Sequence, residues 1–90
     1  MKVGFSDNLD KEFKKIKETD NRLFINIEKK LSLFQQNPKH PSLRLHQLSG
    51  NLNNLWSISI TMNFRMIYKL IDKNTAYFTK MGTHDEVYNK

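Results

Sequence analysis

An arginine and two histidines bracket the most regular apolar pattern of the chain. Arg65 lies inside residues 56–70 (WSISITMNFRMIYKL), His46 precedes them in LRLHQLSG, and His84 follows them in MGTHDEVY. A guanidinium can contact a phosphate with two donors at once, and an imidazole can accept or donate a proton near neutral pH. These three side chains are therefore candidates for cleaving RNA without a metal ion.

The histidines do not form a metal-binding pattern. His40, His46 and His84 are not accompanied by a histidine or carboxylate repeat at helical spacing, and His40 stands in PKHP, which is typical of a loop. The chain has no cysteine, so disulfides and thiolate metal sites are excluded and a reducing cytoplasm is the expected location. We expect no metal and no other cofactor.

The charge balance favours a negatively charged partner. The 15 basic and 9 acidic residues give a net charge of +6 and a pI near 9.7. Such a field attracts polyanions and acidic proteins alike, so it does not distinguish between them. Four lysines on one flank of the first predicted helix form either a solvated face or a partner surface: Lys11, Lys14, Lys15 and Lys17.

The length of the chain allows one modest core and excludes two, so residues 1–90 are predicted to form a single domain. No apolar run approaches the roughly 20 residues that a membrane-spanning helix needs. The first residues, MKVGFSDNLDKEF, lack the apolar segment of a secretory signal. We therefore expect no membrane association.

The first half of the chain predicts a strand and a helical hairpin. Residues 1–5 alternate in a strand pattern, Ser6 can cap one helix, and residues 19–21 can cap a second. The second helix is expected to end near Gln36, because proline at position 38 disfavours helical backbone in the residue before it. Apolar side chains at spacings of three and four residues predict the buried stripes: Leu9, Phe13, Ile16, Leu23, Ile27, Leu31 and Phe34.

The second half predicts a sheet for the hairpin to cover. Strands are expected at residues 43–48, in WSISITM, at residues 65–71 and at residues 76–81, with turns at residues 49–54 and 72–74. In WSISITM, alternation places Trp56, Ile58, Ile60 and Met62 on the core face and Ser57, Ser59 and Thr61 on the other. The expected fold is α+β, a small and mostly antiparallel sheet packed by the helical hairpin in the order β-α-α-β-β-β.

The run L-x-L-H-x-L-S-G-x-L-x-x-L-W-S-I-S-I-T-x-N-F-R-M-I-Y, closed by G-T-H-D-E-V-Y, resembles the RelE/ParE superfamily of bacterial type II toxins. The likeness is greatest to its RelE, HigB and YafQ branches, and it covers nearly the whole chain. The resemblance implies the RelE-like fold and a metal-independent endoribonuclease that cleaves messenger RNA in the ribosomal decoding site. It also implies a cognate antitoxin that wraps and silences the toxin.

The resemblance assigns roles to four residues. Arg65 falls on the strand arginine that faces the scissile phosphate, where it would stabilise the extra charge that attack by the 2′-hydroxyl develops. His84 matches a histidine after the last strand, and His46 resembles the second histidine of the YafQ branch, so the two could form an acid/base pair. Tyr88 matches a C-terminal aromatic residue that either acts on the RNA or anchors the chain terminus to the core. The basic side chains expected to bind RNA are Arg44, Lys69 and Lys80.

The chain also departs from the ribonuclease branches. Where the YafQ branch carries a further histidine and an aspartate, this chain has Ser59 and Asn63, and the paired strand lysines of the RelE branch are missing. Two alternatives therefore stay open beside the ribonuclease: a ParE-like inhibitor of DNA gyrase, and a catalytically inactive module that binds an antitoxin. Function does not follow from the fold alone.

Overall fold

The computed structural model describes residues 1–48 and 54–88, which form a five-stranded sheet and three α-helices. The strands are β1 (Lys2–Phe5), β2 (His46–Gln47), β3 (Leu55–Ser59), β4 (Phe64–Asp72) and β5 (Thr75–Thr83). The helices are α1 (Asp7–Thr19), α2 (Asn21–Gln36) and α3 (His84–Tyr88), and a 3₁₀ turn spans Pro41–Leu43. None of the helices in the described ranges is long and apolar enough to cross a membrane.

Local capping sets the helical hairpin as the sequence predicts. The Ser6 hydroxyl accepts a hydrogen bond from the Leu9 N–H at 3.2 Å, and the Asp20 carboxylate accepts one from the Leu23 N–H at 3.1 Å. Asp20 also closes α1, since its own N–H donates to the Ile16 carbonyl. A single residue therefore joins the two helices, and α2 ends at Gln36 as expected.

The sheet is mixed, with the strand order β1-β5-β4-β3-β2. β1 runs parallel to β5, and the other neighbouring pairs are antiparallel. The hairpin covers one face and encloses the main core of Leu9, Ile27, Phe34, Leu43, Ile58, Ile60, Met66, Tyr68, Ala76 and Phe78. On the other face α3 closes a smaller cluster of Leu48, Ile67 and Val87.

The structure differs from the prediction in where β3 ends and in the burial of its serine face. β3 stops at Ser59, so Met62 is 87% exposed in the following turn and is not part of the core. Ser57 and Ser59 are buried, because the cluster under α3 and the β4 side chains cover the face predicted to be polar and open. The strand is therefore buried on both faces.

Three further differences concern the element order. The strand predicted at residues 43–48 is reduced to His46–Gln47, because Leu43 belongs to the 3₁₀ turn. The order β-α-α-β-β-β counts four strands, although strands were predicted in five segments and the structure has a strand in each. The prediction also lacks α3, which occupies the segment expected to be a tail. Apart from Asn54, the turn predicted at residues 49–54 lies outside the described residues.

Candidate functional site

Arg65 stands on the sheet face that the helical hairpin does not cover. In β4 it shares parity with Ile67, whereas Met66 and Tyr68 point into the main core. Its neighbours across the sheet are Ser59 on β3 and Gly82 on β5. Because Gly82 has no side chain, the Glu86 side chain can approach the strand beside Arg65 closely.

The glycine at position 82 is required by the backbone and by its neighbour. Its φ is +154°, which side-chain-bearing residues rarely adopt, and an added Cβ would lie 2.6 Å from a carboxylate oxygen of Glu86. The close approach of Glu86 brings the first turn of α3 down onto the sheet next to Arg65. Gly82 thus allows the junction of β5 and α3 to form part of the site.

The guanidinium of Arg65 is held in place but incompletely bonded. Its Nη1 donates a 2.9 Å hydrogen bond to the Ser59 hydroxyl. Its Nε is buried and has no hydrogen-bond partner among the described residues. A buried donor without a partner is unfavourable by about 1–3 kcal/mol, so the guanidinium keeps hydrogen-bonding capacity that the described residues do not use.

An open cleft brings Arg65 and His84 together. It has a volume of about 470 Å³ and lies where the β3–β4 turn meets the junction of β5 and α3. The side chains that line it are Met62, Asn63, Arg65, Thr83, His84 and Asp85. The cleft therefore offers a fixed cation and an imidazole to one ligand.

His84 is positioned by the start of α3. The Thr83 N–H donates to a Glu86 carboxylate oxygen at 2.7 Å, and the Glu86 N–H donates to the Thr83 hydroxyl at 3.3 Å. This reciprocal pair is a capping box, which orients the first turn of a helix. The His84 ring lies 4.4 Å from the Tyr88 ring, its Nδ1 is 3.7 Å from an Asp85 carboxylate oxygen, and its side chain is 67% exposed. The imidazole is thus oriented yet open to a ligand.

Tyr88 has the contacts of an anchor. Its ring packs against the cluster of Leu48, Ile67 and Val87, and its hydroxyl donates a 2.7 Å hydrogen bond to the Ser57 hydroxyl. Among the described residues, Tyr88 does not belong to the lining of the Arg65 cleft. A direct role of Tyr88 on RNA therefore stays a prediction, while its support of His84 is visible.

His46 stands apart from the Arg65 cleft. It is exposed on the edge strand β2, directly opposite Ser57, and the described lining of the cleft does not include it. Tyr88 contacts both Ser57 and His84, so His46 and His84 flank the same Tyr88–Ser57 pair on one sheet face. The acid/base pairing of the two imidazoles remains a prediction.

The three basic residues predicted to bind RNA occupy different places. Lys80 is opposite Ile67 and thus diagonal to Arg65 across β4 and β5, about 7–8 Å between Cα atoms. Lys69 is four residues along β4, about 13 Å from Arg65. Both are exposed on the Arg65 side of the sheet, whereas Arg44 lines a second cleft near the 3₁₀ turn.

No group of three histidine, aspartate or glutamate side chains in the described ranges could hold a metal ion.

The residues that position the site were not predicted from the sequence. Thr83 and Glu86 form the T-x-x-E pattern of a capping box, which was visible in the sequence as THDE but lies in a segment expected to be a tail. Ser57 and Ser59 were assigned to the polar face of the strand, and Ser59 was also noted for standing where the YafQ branch carries a proton-transfer residue. Their hydroxyls instead hold Tyr88 and Arg65, a role that depends on contacts across the sheet and has no local signature.

Residues 1–89 match the family model described as the bacterial toxin YafQ of a type II toxin-antitoxin system. No curated protein sequence gives a significant match to the chain.

Solved structures of similar fold include three toxins. A YoeB/ParE toxin from Agrobacterium tumefaciens is 18% identical, with a TM-score of 0.77 over 93% of this chain and 99% of that chain. YafQ from Escherichia coli strain BL21(DE3) is 18% identical, with a TM-score of 0.73 over 96% of each chain. A chain of the YoeB–YefM complex from Staphylococcus aureus is 19% identical, with a TM-score of 0.76 over 93% of this chain and 97% of that chain.

Proposed function

The chain belongs to the YafQ family of toxins of bacterial type II toxin-antitoxin systems, and we propose that it is a ribosome-dependent endoribonuclease that cleaves messenger RNA. The observation that carries this proposal is the shared cleft of Arg65 and His84. A cation for the phosphate and a group for proton transfer are the minimum that metal-independent RNA cleavage requires.

In the proposed reaction the 2′-oxygen of one nucleotide attacks the adjacent phosphorus. A bond forms between O2′ and phosphorus while the bond from phosphorus to O5′ breaks, which leaves a 2′,3′-cyclic phosphate and a 5′-hydroxyl. The transition state carries more negative charge than the phosphodiester. Arg65 lines the cleft, and its donors that Ser59 does not hold would bind the non-bridging oxygens.

Two protons move in this reaction: one leaves the 2′-hydroxyl and one reaches O5′. We assign one transfer to His84, which shares the cleft with Arg65 and is exposed enough to meet the substrate. His46, on the far side of the Tyr88–Ser57 pair, is the candidate for the other transfer. An RNA strand that lies across this sheet face would contact both imidazoles.

The ribosome is part of the proposal because the site holds few catalytic groups. Ser59 and Asn63 stand where the YafQ branch carries proton-transfer residues, and Ser59 is engaged with Arg65. A messenger bent in the decoding site would bring its 2′-hydroxyl in line with the phosphate. Such orientation contributes several kcal/mol to catalysis, up to about 7–11 kcal/mol. Free RNA is therefore expected to be cleaved poorly.

The proposed partners are the ribosome with its messenger RNA and a cognate antitoxin. Toxins of type II systems are paired with an antitoxin, and a YoeB toxin is found in complex with YefM in one similar structure. The net charge of +6 favours both an acidic antitoxin segment and the ribosome.

The test compares variants of the two cleft residues in a translating extract, with messenger breaks mapped by primer extension. Arg65→Ala is expected to lower cleavage by about 100-fold or more, because it removes charge stabilisation in the transition state. His84→Gln is expected to lower it by about 100-fold, since general acid–base catalysis contributes about that much. Arg22→Ala is the matched control, because it removes the same charge from an exposed position on α2.

Undiminished cleavage by folded Arg65→Ala protein would contradict the proposed chemistry. Growth arrest without messenger breaks but with inhibited supercoiling would identify a gyrase inhibitor instead. If the protein binds an antitoxin but causes neither messenger breaks nor growth arrest, it is an inactive module.

A further inference from the structure

A second cleft lies beside the candidate site, between α2, the 3₁₀ turn and the β3–β4 turn. It has a volume of about 210 Å³, and we call it the flanking cleft. Its lining consists of Lys30, Ser42, Arg44, Ser59, Ile60, Thr61 and Met62. Two of these side chains are cationic, and none of the described lining residues is acidic, so the flanking cleft favours an anion.

Polar contacts hold Lys30 over the flanking cleft. Its ammonium group donates a 3.3 Å hydrogen bond to the Ser42 hydroxyl, which also lies 3.0 Å from Nδ1 of His40. The same Nδ1 accepts a 3.1 Å hydrogen bond from the Ser42 N–H, so His40 caps the 3₁₀ turn. Lys30 is itself partly buried. The hydrogen bond to Ser42 thus holds the ammonium group at one wall of the cleft.

Arg44 is directed into the flanking cleft by its backbone. It follows the 3₁₀ turn in the left-handed conformation, with φ of 48°, and its N–H donates to the Pro41 carbonyl at 3.1 Å. Residues other than glycine are uncommon in this conformation, which tends to occur at functional positions. The turn therefore places Arg44 in the lining that also includes Lys30.

The flanking cleft adjoins the cleft that holds Arg65 and His84. Ser59 lines the flanking cleft, and its hydroxyl accepts the hydrogen bond from Arg65 Nη1. Met62 lines both clefts and is exposed at their shared rim. A polymer bound at Arg65 therefore reaches a second pair of cations where it passes the rim at Met62.

We infer that the flanking cleft binds a backbone phosphate of single-stranded RNA, next to the phosphate held by Arg65. The inference rests on the proposed function and extends it by a second phosphate subsite made of Lys30, Ser42 and Arg44. Arginine provides two parallel donors for a phosphate and lysine a compact charge, so the pair matches this ligand. The subsite positions the strand and reads no base.

Direct binding of a non-cleavable RNA tests the subsite. The probe is a fluorescent hexanucleotide with 2′-O-methyl groups, which lacks the attacking hydroxyl, and binding is followed by anisotropy over a series of salt concentrations. Lys30→Gln combined with Arg44→Gln is expected to weaken binding about tenfold at low salt. The slope of log affinity against log salt is expected to fall by about 0.7, because the variant loses one phosphate contact and each contact to a single strand contributes about 0.7.

The matched control is Lys29→Gln combined with Lys73→Gln, which removes the same two charges from exposed positions. Lys29 is next to Lys30 on α2, and Lys73 lies in the β4–β5 turn, about 26 Å along β4 from Arg65. The control is expected to weaken binding less than about twofold. Trp56 fluorescence checks that each double variant is folded.

Equal losses in the two double variants would overturn the subsite, since the effect would then be one of net charge. Lack of hexanucleotide binding by the wild type at low salt would also overturn it. Cleavage by Arg65→Ala protein tests the proposed function separately. If that variant is inactive and the two double variants bind alike, the subsite is wrong and the proposed function stands.

Discussion

The hydroxyl of Tyr88 donates a hydrogen bond of 2.7 Å to the hydroxyl of Ser57, a residue 31 positions earlier in the chain. This bond ties α3 to the middle of β3, and the Tyr88 ring supports the imidazole of His84 from 4.4 Å away. The terminal helix is thereby fixed on the sheet face that carries Arg65. The position of His84 depends on a contact that is remote in sequence.

The Tyr88 and Ser57 hydroxyls are expected to contribute to stability as a coupled pair. Tyr88→Phe and Ser57→Ala should each lower the free energy of unfolding by about 1 kcal/mol, because Ser57 is buried and each change breaks the same bond. The double variant should lose about as much as one single variant. Urea unfolding followed by Trp56 fluorescence measures the cycle. Strictly additive losses would show that the two hydroxyls are not coupled.

The capping box of Thr83 and Glu86 is expected to affect both stability and cleavage. Thr83→Ala should lower the free energy of unfolding by about 1 kcal/mol and reduce messenger cleavage, because the first turn of α3 then orients His84 less well. Thr83→Ser keeps the hydroxyl and should restore both values. Thr19→Ala, at the exposed end of α1, is the control. Wild-type cleavage by Thr83→Ala would separate the capping box from catalysis.

The free energy of unfolding is expected to fall in alkaline solution because of Tyr68. Burial raises the pKa of Tyr68 to about 12, while the unfolded chain ionises near 10. Folding keeps the phenol neutral, which contributes fully to stability below pH 10. This contribution of about 3 kcal/mol is lost as the pH rises from 10 to 12. Urea midpoints measured between pH 9 and 12 should fall less steeply for Tyr68→Phe than for wild type. Tyr77→Phe is the control, and parallel curves for all three proteins would contradict the assignment.

Two neighbouring apolar residues should differ sharply in their contribution to stability. Ile60 is 3% exposed in the main core, whereas Met62 is 87% exposed in the β3–β4 turn. Ile60→Ala should lower the free energy of unfolding by about 2–5 kcal/mol, because it leaves a cavity. Met62→Ala should change it by less than about 0.5 kcal/mol. Similar denaturant midpoints for the two variants would contradict the placement of the strand end at Ser59.

The helical hairpin, most of the sheet and the family resemblance were available from the sequence. Ser6 and Asp20 cap their helices through bonds to residues three positions away, and the proline at position 38 acts on the residue before it. These effects are local, so the sequence pattern is enough to predict them. The family match over residues 1–89 confirms the resemblance to RelE/ParE toxins. Alternation along β4 is also a local effect, and it puts Arg65 on the face opposite Met66 and Tyr68.

The sequence alone also supplied the residue types for the chemistry, but the tertiary structure decided which of them meet. Arg65 and His84 share a cleft because Gly82 and the capping box bring α3 back over β5, while His46 is left on the edge strand. The serines of β3 look like a solvent-facing row in the sequence. In the structure they are buried, and their hydroxyls accept hydrogen bonds from Arg65 and Tyr88. Such bonds depend on how separate elements pack together, and the alternation within one strand does not contain that information.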